Sequence, residues 1–270
     1  MTTETFLFAF GLTLAAGLAT GIGGLMSFFT RTTNKRFLAL SLGFSAGVML
    51  YISMIEIYGK AEESLVDFLG KESGQWLTAG SFFAGFILIA AIDRLIPSGE
   101  NPHEIRLVEE MQIHPDKVAD DKLMRMGLVT ALAVAIHNFP EGLVTFIAAV
   151  EDPSLGIAVA LAIALHNIPE GIAVSVPIYY ATGDRRKALL YSFLAGLAEP
   201  LGALAGYFLL IRLFGEALFG ILFASVAGIM VFISLDELLP AAREYGEPHL
   251  SLYGLLAGMM VMAVSMLMIS

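Results

Sequence analysis

Apolar residues gather in eight runs of roughly twenty, near 6–29, 37–58, 76–96, 126–150, 154–180, 187–213, 217–239 and 249–270. About twenty such residues in a helix cross the ~30 Å hydrocarbon core of a bilayer. The pattern predicts an all-α integral membrane protein with eight transmembrane helices. The first run follows Met-Thr-Thr-Glu, without a basic n-region, and is too long for a cleavable signal. It is expected to be the first span.

The links between runs set the orientation, because cytoplasmic loops collect Lys and Arg. With the N-terminus outside, the inner links hold Arg31, Lys35, Arg36, Arg94, Arg106, Lys117, Lys122, Arg125, Arg185, Arg186, Lys187 and Arg243, leaving Lys60, Lys71 and Arg212 outside. That places 12 of the 15 basic residues inside, so both termini are expected to face out. The one long link, 97–125, is then a cytoplasmic loop between the third and fourth spans. It carries His103, His114, Asp116, Asp120 and Asp121, and reads as a solvated linker, with weak metal handling as the alternative. Small residues four apart (Gly17/Gly21, Gly43/Gly47, Gly202/Gly206, Gly254/Gly258) predict close helix contacts.

Composition agrees and narrows the chemistry. The chain is 57% hydrophobic and only 15% charged, unlike a soluble domain. A formal charge of −10 argues against nucleic acid, whose phosphates it would repel. With no cysteine, a metal would have to be held by nitrogen, oxygen or methionine sulfur.

Inside this apolar frame one polar phrase occurs twice: His137-Asn138-Phe139-Pro140-Glu141-Gly142, and, 29 residues on, His166-Asn167-Ile168-Pro169-Glu170-Gly171. At about 1.5 Å per residue both histidines lie about 16–18 Å into their spans, near the midplane. Glu199 of the sixth span lies at the same depth. Polar groups there are costly and mark function. His and Glu at i and i+4 share one helix face, and proline at i+3 leaves the carbonyls of Ile136 and Leu165 without a helical donor.

Because the fourth and fifth spans are antiparallel neighbours, the two copies can face each other across a pseudo-twofold axis. The expected site has two imidazoles, His137 and His166, and two carboxylates, Glu141 and Glu170, a set that suits zinc and nearly as well Fe(II), Mn(II) and Co(II). Asn138, Asn167 and Glu199 can add an oxygen-rich second position sharing both glutamates. A lone buried histidine is more often a hydrogen-bonded core residue than a ligand; the in-register repeat is what argues for metal. Glu56, Asp93, Asp236 and Glu237 lie toward span ends, where a role on a cation path competes with simple interfacial anchoring.

At these residues the chain resembles the ZIP family of divalent-metal transporters, and within it the bacterial importers. The resemblance covers nearly the whole length: eight spans, outward termini, a long inner link after the third span, HNxPEG in the fourth and fifth, and a glutamate in the sixth. It implies that residues 1–270 are one transmembrane transport domain, its helices in a 3+2+3 arrangement with an inverted repeat. It further implies a binuclear midplane site. His137, Glu141, His166 and Glu170 match the family's first metal position, and Asn138, Asn167 and Glu199 join the shared glutamates at the second. Many eukaryotic members have His-Glu where this chain has His166-Asn167, and carry histidine-rich inner loops, so a broad-range importer is expected.

The expected function is uptake of zinc, with Fe, Mn, Co and Cd as further cargo, across the cytoplasmic (inner) membrane. The partners are divalent ions and the lipid bilayer, with no nucleic acid and no catalytic cofactor; a homodimer is left open. The rival is an intramembrane zinc-dependent hydrolase, since His and Glu can hold a metal that activates water. It fits poorly, because the pair is His-x-x-x-Glu with Asn where a general base would stand. The chain is not expected to be an enzyme.

Overall fold

The computed structural model describes residues 1–26, 35–94, 117–213, 216–244 and 248–269. His103, His114 and Asp116 of the long link lie outside the described residues. Among the described residues, eight helices are long and apolar enough to cross a membrane: α1 (Thr3–Met26), α2 (Lys35–Leu69), α3 (Lys71–Asp93), α4 (Lys117–Glu151), α5 (Pro153–Thr182), α6 (Arg185–Gly196 continued by Ala198–Leu213), α7 (Glu216–Ile233 continued through Ser234–Leu238 and Leu239–Glu244) and α8 (Pro248–Ile269). The fold is that of a multi-pass, all-α membrane protein.

All eight expected runs are helical over their described residues, with some bounds moved. Lys117–Arg125, read as loop, instead forms the first turns of α4; Ala119, Lys122, Leu123, Met124 and Arg125 are good helix formers. α2 continues past residue 58 to Leu69. Its extension is charged at Lys60, Glu62, Glu63 and Asp67 yet buries Ala61 and Leu65, an i, i+4 stripe laid against α7 at Gly220. α6 breaks at Leu197, just before Glu199-Pro200, because Pro200 has no N–H to offer the Gly196 carbonyl.

The links around α5 are tightly made. Asp152 caps it by accepting from the N–H groups of Ser154 (2.8 Å) and Leu155 (3.4 Å), with Pro153 as its first residue. At its far end Gly183 takes a left-handed φ of 65°, and Asp184 then accepts from the Arg186 N–H at 2.8 Å to start α6. A one-residue joint, Asp152, therefore holds α4 and α5 antiparallel, which puts their polar phrases face to face.

The helices fall into two interlocked groups. α1, α4, α5 and α6 pack together, as do α2, α3, α7 and α8; the groups meet mainly through α2 against α5 and α7 against α4. A Cβ on Gly171 would overlap the Thr20 carbonyl, one on Gly142 the Glu199 carbonyl, one on Gly47 the Leu255 carbonyl and one on Gly228 the Phe82 carbonyl. Among the described residues, every such glycine-to-backbone approach lies inside one group or the other. Backbones thus interlock through glycines within each group, and no glycine of the described residues makes such an approach across the two. Large apolar residues such as Leu7, Phe37, Trp76, Phe83, Ile87, Leu161, Leu201 and Leu267 are exposed on the outside, as a bilayer-facing surface requires.

These contacts come in matched pairs. Gly171 on Thr20 (α5 to α1) matches Gly142 on Glu199 (α4 to α6), and Gly47 on Leu255 (α2 to α8) matches Gly228 on Phe82 (α7 to α3). Sequence follows suit in α2 and α7: Ala46-Gly47, Met49, Ile52-Ser53 and Glu56 recur 181 residues on as Ala227-Gly228, Met230, Ile233-Ser234 and Glu237. Both stretches end in a π-helical turn, Ile52–Ile57 and Ser234–Leu238, closed by Tyr58 N–H on the Ser53 carbonyl and Leu239 N–H on the Ser234 carbonyl. Such wide turns inside α-helices often occur at functional sites.

Candidate metal centre

The centre lies wholly in the first group, between α4, α5 and α6. α4 is the most enclosed span, with 72% of its apolar stretch buried, and α8 the least, at 22%. His137, Asn138, Glu141, His166, Asn167, Glu170 and Glu199 are all buried, none more than 7% exposed. So many polar side chains in a dry interior demand partners.

Glu170 is the hinge of the cluster. Its Oε1 lies 2.6 Å from His137 Nε2 and 2.7 Å from His166 Nε2. The first contact is a hydrogen bond; the second has the distance of one without its alignment. The Glu141 Oε1 is 3.8 Å from His166 Nε2, and the two rings lie 6.2 Å apart, tilted by 38°. Ligand atoms of His137, His166 and Glu170 all fall within 4.8 Å of one another. The helical i, i+4 spacing brings His166 and Glu170 together, and the α4–α5 joint brings His137 across to them.

The amides and Glu199 form the next layer. Asn138 donates through Nδ2 to the Ala195 carbonyl at 3.3 Å, and Asn167 through Nδ2 to the Ala16 carbonyl at 2.8 Å and to Glu199 Oε1. With both NH₂ groups turned to backbone carbonyls, both amide oxygens are left for the site. Asn138 Oδ1, Asn167 Oδ1, both oxygens of Glu141, Glu170 Oε2 and Glu199 Oε2 are buried without a hydrogen-bond partner. All are acceptors. Glu141 also repels both Glu170 and Glu199 electrostatically. Buried acceptors crowded with carboxylates are what a divalent cation neutralises, and imidazole plus carboxylate is a donor set that borderline ions accept.

The structure thus brings His137, Glu141, His166 and Glu170 into one cluster, with Asn138, Asn167 and Glu199 beside it. It also corrects the reading of Glu237 as a residue of a span end. Glu237 sits on the π-turn of α7, only 12% exposed, with Oε2 3.6 Å from His137 Nδ1. Asp236, its neighbour, is exposed. The signal for Glu237 was the repeat shared by α2 and α7, which is faint beside the HNxPEG phrases.

Comparison with known proteins finds relatives named as zinc transporters. Residues 97–266 match the sequence profile of a family described as ZIP Zinc transporter. A protein of Clostridium perfringens called Zinc transporter ZupT is 60% identical over 97% of this chain and 96% of its own length. Proteins of the same name are 60% identical in Oceanobacillus iheyensis, over 99% of this chain and 100% of theirs, and 61% identical in Streptococcus mutans, over 96% and 97%. The bacterial, ZupT-type branch of the resemblance is therefore the right one. With the profile covering well over half of the chain and relatives this similar over nearly all of it, the chain belongs to the ZIP family.

Proposed function

We propose that this protein imports zinc across the cytoplasmic membrane, passing the ion through the buried cluster as cargo. The observation that carries this reading is Glu170 held between two imidazoles while Glu141, buried beside it, has no hydrogen-bond partner for either oxygen. In this reading His137, Glu141, His166 and Glu170 hold one ion, and Asn138, Asn167 and Glu199, with the two glutamates as bridges, hold a second. Oxygen-rich positions discriminate weakly among harder ions and imidazole accepts borderline and softer ones, so Fe and Mn, and with them Co and Cd, are further cargo.

The paired contacts described above support an inverted repeat that exchanges α1–α3 with α6–α8 and α4 with α5, the 3+2+3 arrangement. The distribution of basic residues supports outward termini and an inner position for the α3–α4 link, whose last residues are helical. All seven candidate residues come from one chain, so a homodimer would contain two complete sites. No observation favours the hydrolase alternative, and a non-enzymatic role is part of the proposal.

The test is uptake into proteoliposomes holding the purified protein, with Zn, Fe, Mn, Co and Cd offered in turn. Zinc accumulation that is lost in Glu170→Ala supports the reading. Wild-type protein that moves none of these ions refutes it.

A further inference from the structure

The repeat that matches α2 to α7 also matches Glu56 to Glu237, yet the two carboxylates stand in different surroundings. Glu237 reaches His137, with 3.6 Å between Oε2 and Nδ1. Under the exchange of α4 with α5, the partner of His137 is His166, so the equivalent contact would join Glu56 to His166. That contact is not made. Glu56 is half-buried, without an ion pair or hydrogen bond to another described residue, and feels instead the charges of Lys60, Asp152 and Glu63.

The serines that open the two π-turns differ in the same sense. The Ser234 hydroxyl donates to the Met230 carbonyl at 2.8 Å, whereas the Ser53 hydroxyl, equally buried, has no partner. One copy of the device is engaged and the other is not. The surface between the helix groups, free of glycine-to-backbone interlocking, is where such an exchange can happen. About one turn beyond Glu56, which does not itself line it, a cleft of about 320 Å³ opens between α2, α7 and the α4–α5 joint, lined by Lys60 together with Glu63, Asp67, Glu151 and Asp152.

We propose that Glu56 is the receiving carboxylate of a second conformation. When the α2/α3/α7/α8 group shifts against the group that holds the metal centre, Glu56 moves to His166 as Glu237 leaves His137. A cation arriving through the Asp152 cleft is met by Glu56, and one departing on the opposite side is drawn off by Glu237. Two structurally matched elements with opposite occupancy are the physical mark of a transporter that alternates around a fixed midplane site. This inference rests on the transport reading, which supplies the need for two conformations.

The absence of native cysteine makes the contact directly testable. In the full-length protein in membranes, the pairs H137C/E237C and E56C/H166C are treated with mercuric ion, which bridges two nearby thiolates, and linked peptides are identified by mass spectrometry. The H137C/E237C pair calibrates the reach of the reagent. Both pairs are expected to link. Linkage of H137C/E237C alone would overturn the proposal. Because these variants alter the centre, a second measurement keeps His166 intact. E56Q is expected to raise the KM for zinc uptake by about tenfold, the lower end of the loss that follows removal of a group supporting a metal site, with E56D restoring part of it. E62Q, which removes a half-buried carboxylate six residues on that accepts a hydrogen bond from Gln75, is expected to leave KM unchanged. A wild-type KM in E56Q overturns the proposal as surely as a missing cross-link. Failure of wild-type protein to take up zinc would instead refute the transport reading, and the cross-linking would still report whether the two glutamates exchange partners.

Discussion

At the scale of single residues, what sets this site apart is that acceptors outnumber donors in a dry place. Glu141 has two buried oxygens without a hydrogen bond and carboxylates that repel it, with His166 and His137 drawing it the other way, so a bound cation is well placed to relieve it. Replacing it with alanine is therefore expected to cut zinc uptake by about 100-fold, at or beyond the ~10–100-fold lost when a metal site's supporting group is removed, with surface expression unchanged; normal uptake would remove Glu141 from the site. Asn167 and Glu199, which bond one another, are expected in the proposed site to tune rather than create binding. Asn167→Asp adds a charge and Glu199→Gln removes one at nearly constant shape. Competition assays among Zn, Fe, Mn and Cd should show shifted ratios of a few-fold with zinc flux retained. Proton competition supplies a further check. Two imidazoles and two carboxylates must be deprotonated to bind, so apparent affinity should weaken as pH falls from about 7.5 to about 5.5, where histidine ordinarily gains its proton. A flat profile by equilibrium zinc binding would contradict ligation by both histidines.

At the scale of helices, the glycine that ends each HNxPEG phrase is a packing residue. Gly171 lies against the Thr20 carbonyl and Gly142 against the Glu199 carbonyl, which lets α1 and α6 close directly over the site. Forcing a methyl into such a contact costs typically about 1–3 kcal/mol. Gly171→Ala should lower the melting temperature of the detergent-solubilised protein accordingly and also impair transport, because α1 supplies the Ala16 carbonyl that orients Asn167. Gly80 has open space where its Cβ would stand, and Gly80→Ala should leave both readouts unchanged. Equal melting temperatures for the two variants would mean that α1 and α5 are not held as described.

At the scale of the whole molecule, the distribution of basic residues and the two helix groups make one topological prediction. The cysteine-free background allows single thiols to be introduced at chosen ends. Cysteine at Thr2 should react with a membrane-impermeant maleimide applied to intact cells, whereas cysteine at Arg185, in the α5–α6 link, should react only after permeabilisation. The reverse pattern would turn the molecule over, and with it the direction in which Glu56 and Glu237 act.

Hydrophobic run length was enough to find all eight helices, because a bilayer asks for about twenty apolar residues whatever the neighbours are. The seven buried polar residues were legible too, since an isolated polar group at that depth stands out against its surroundings and a repeat of it more so. Helix ends were not. Lys117–Arg125 is polar enough to read as loop and helical enough to be α4, and α2 runs on to Leu69 through charged residues because Ala61 and Leu65 find α7 on one side only. Nor could spacing alone show which helices interlock. Whether Gly171 meets lipid or the Thr20 carbonyl depends on where α1 lies, and that is decided by every contact of the group at once. Glu237 belongs with these: its distance from His137 is fixed by a π-turn and by the packing of α7 on α4, and neither is a property of any short stretch of chain.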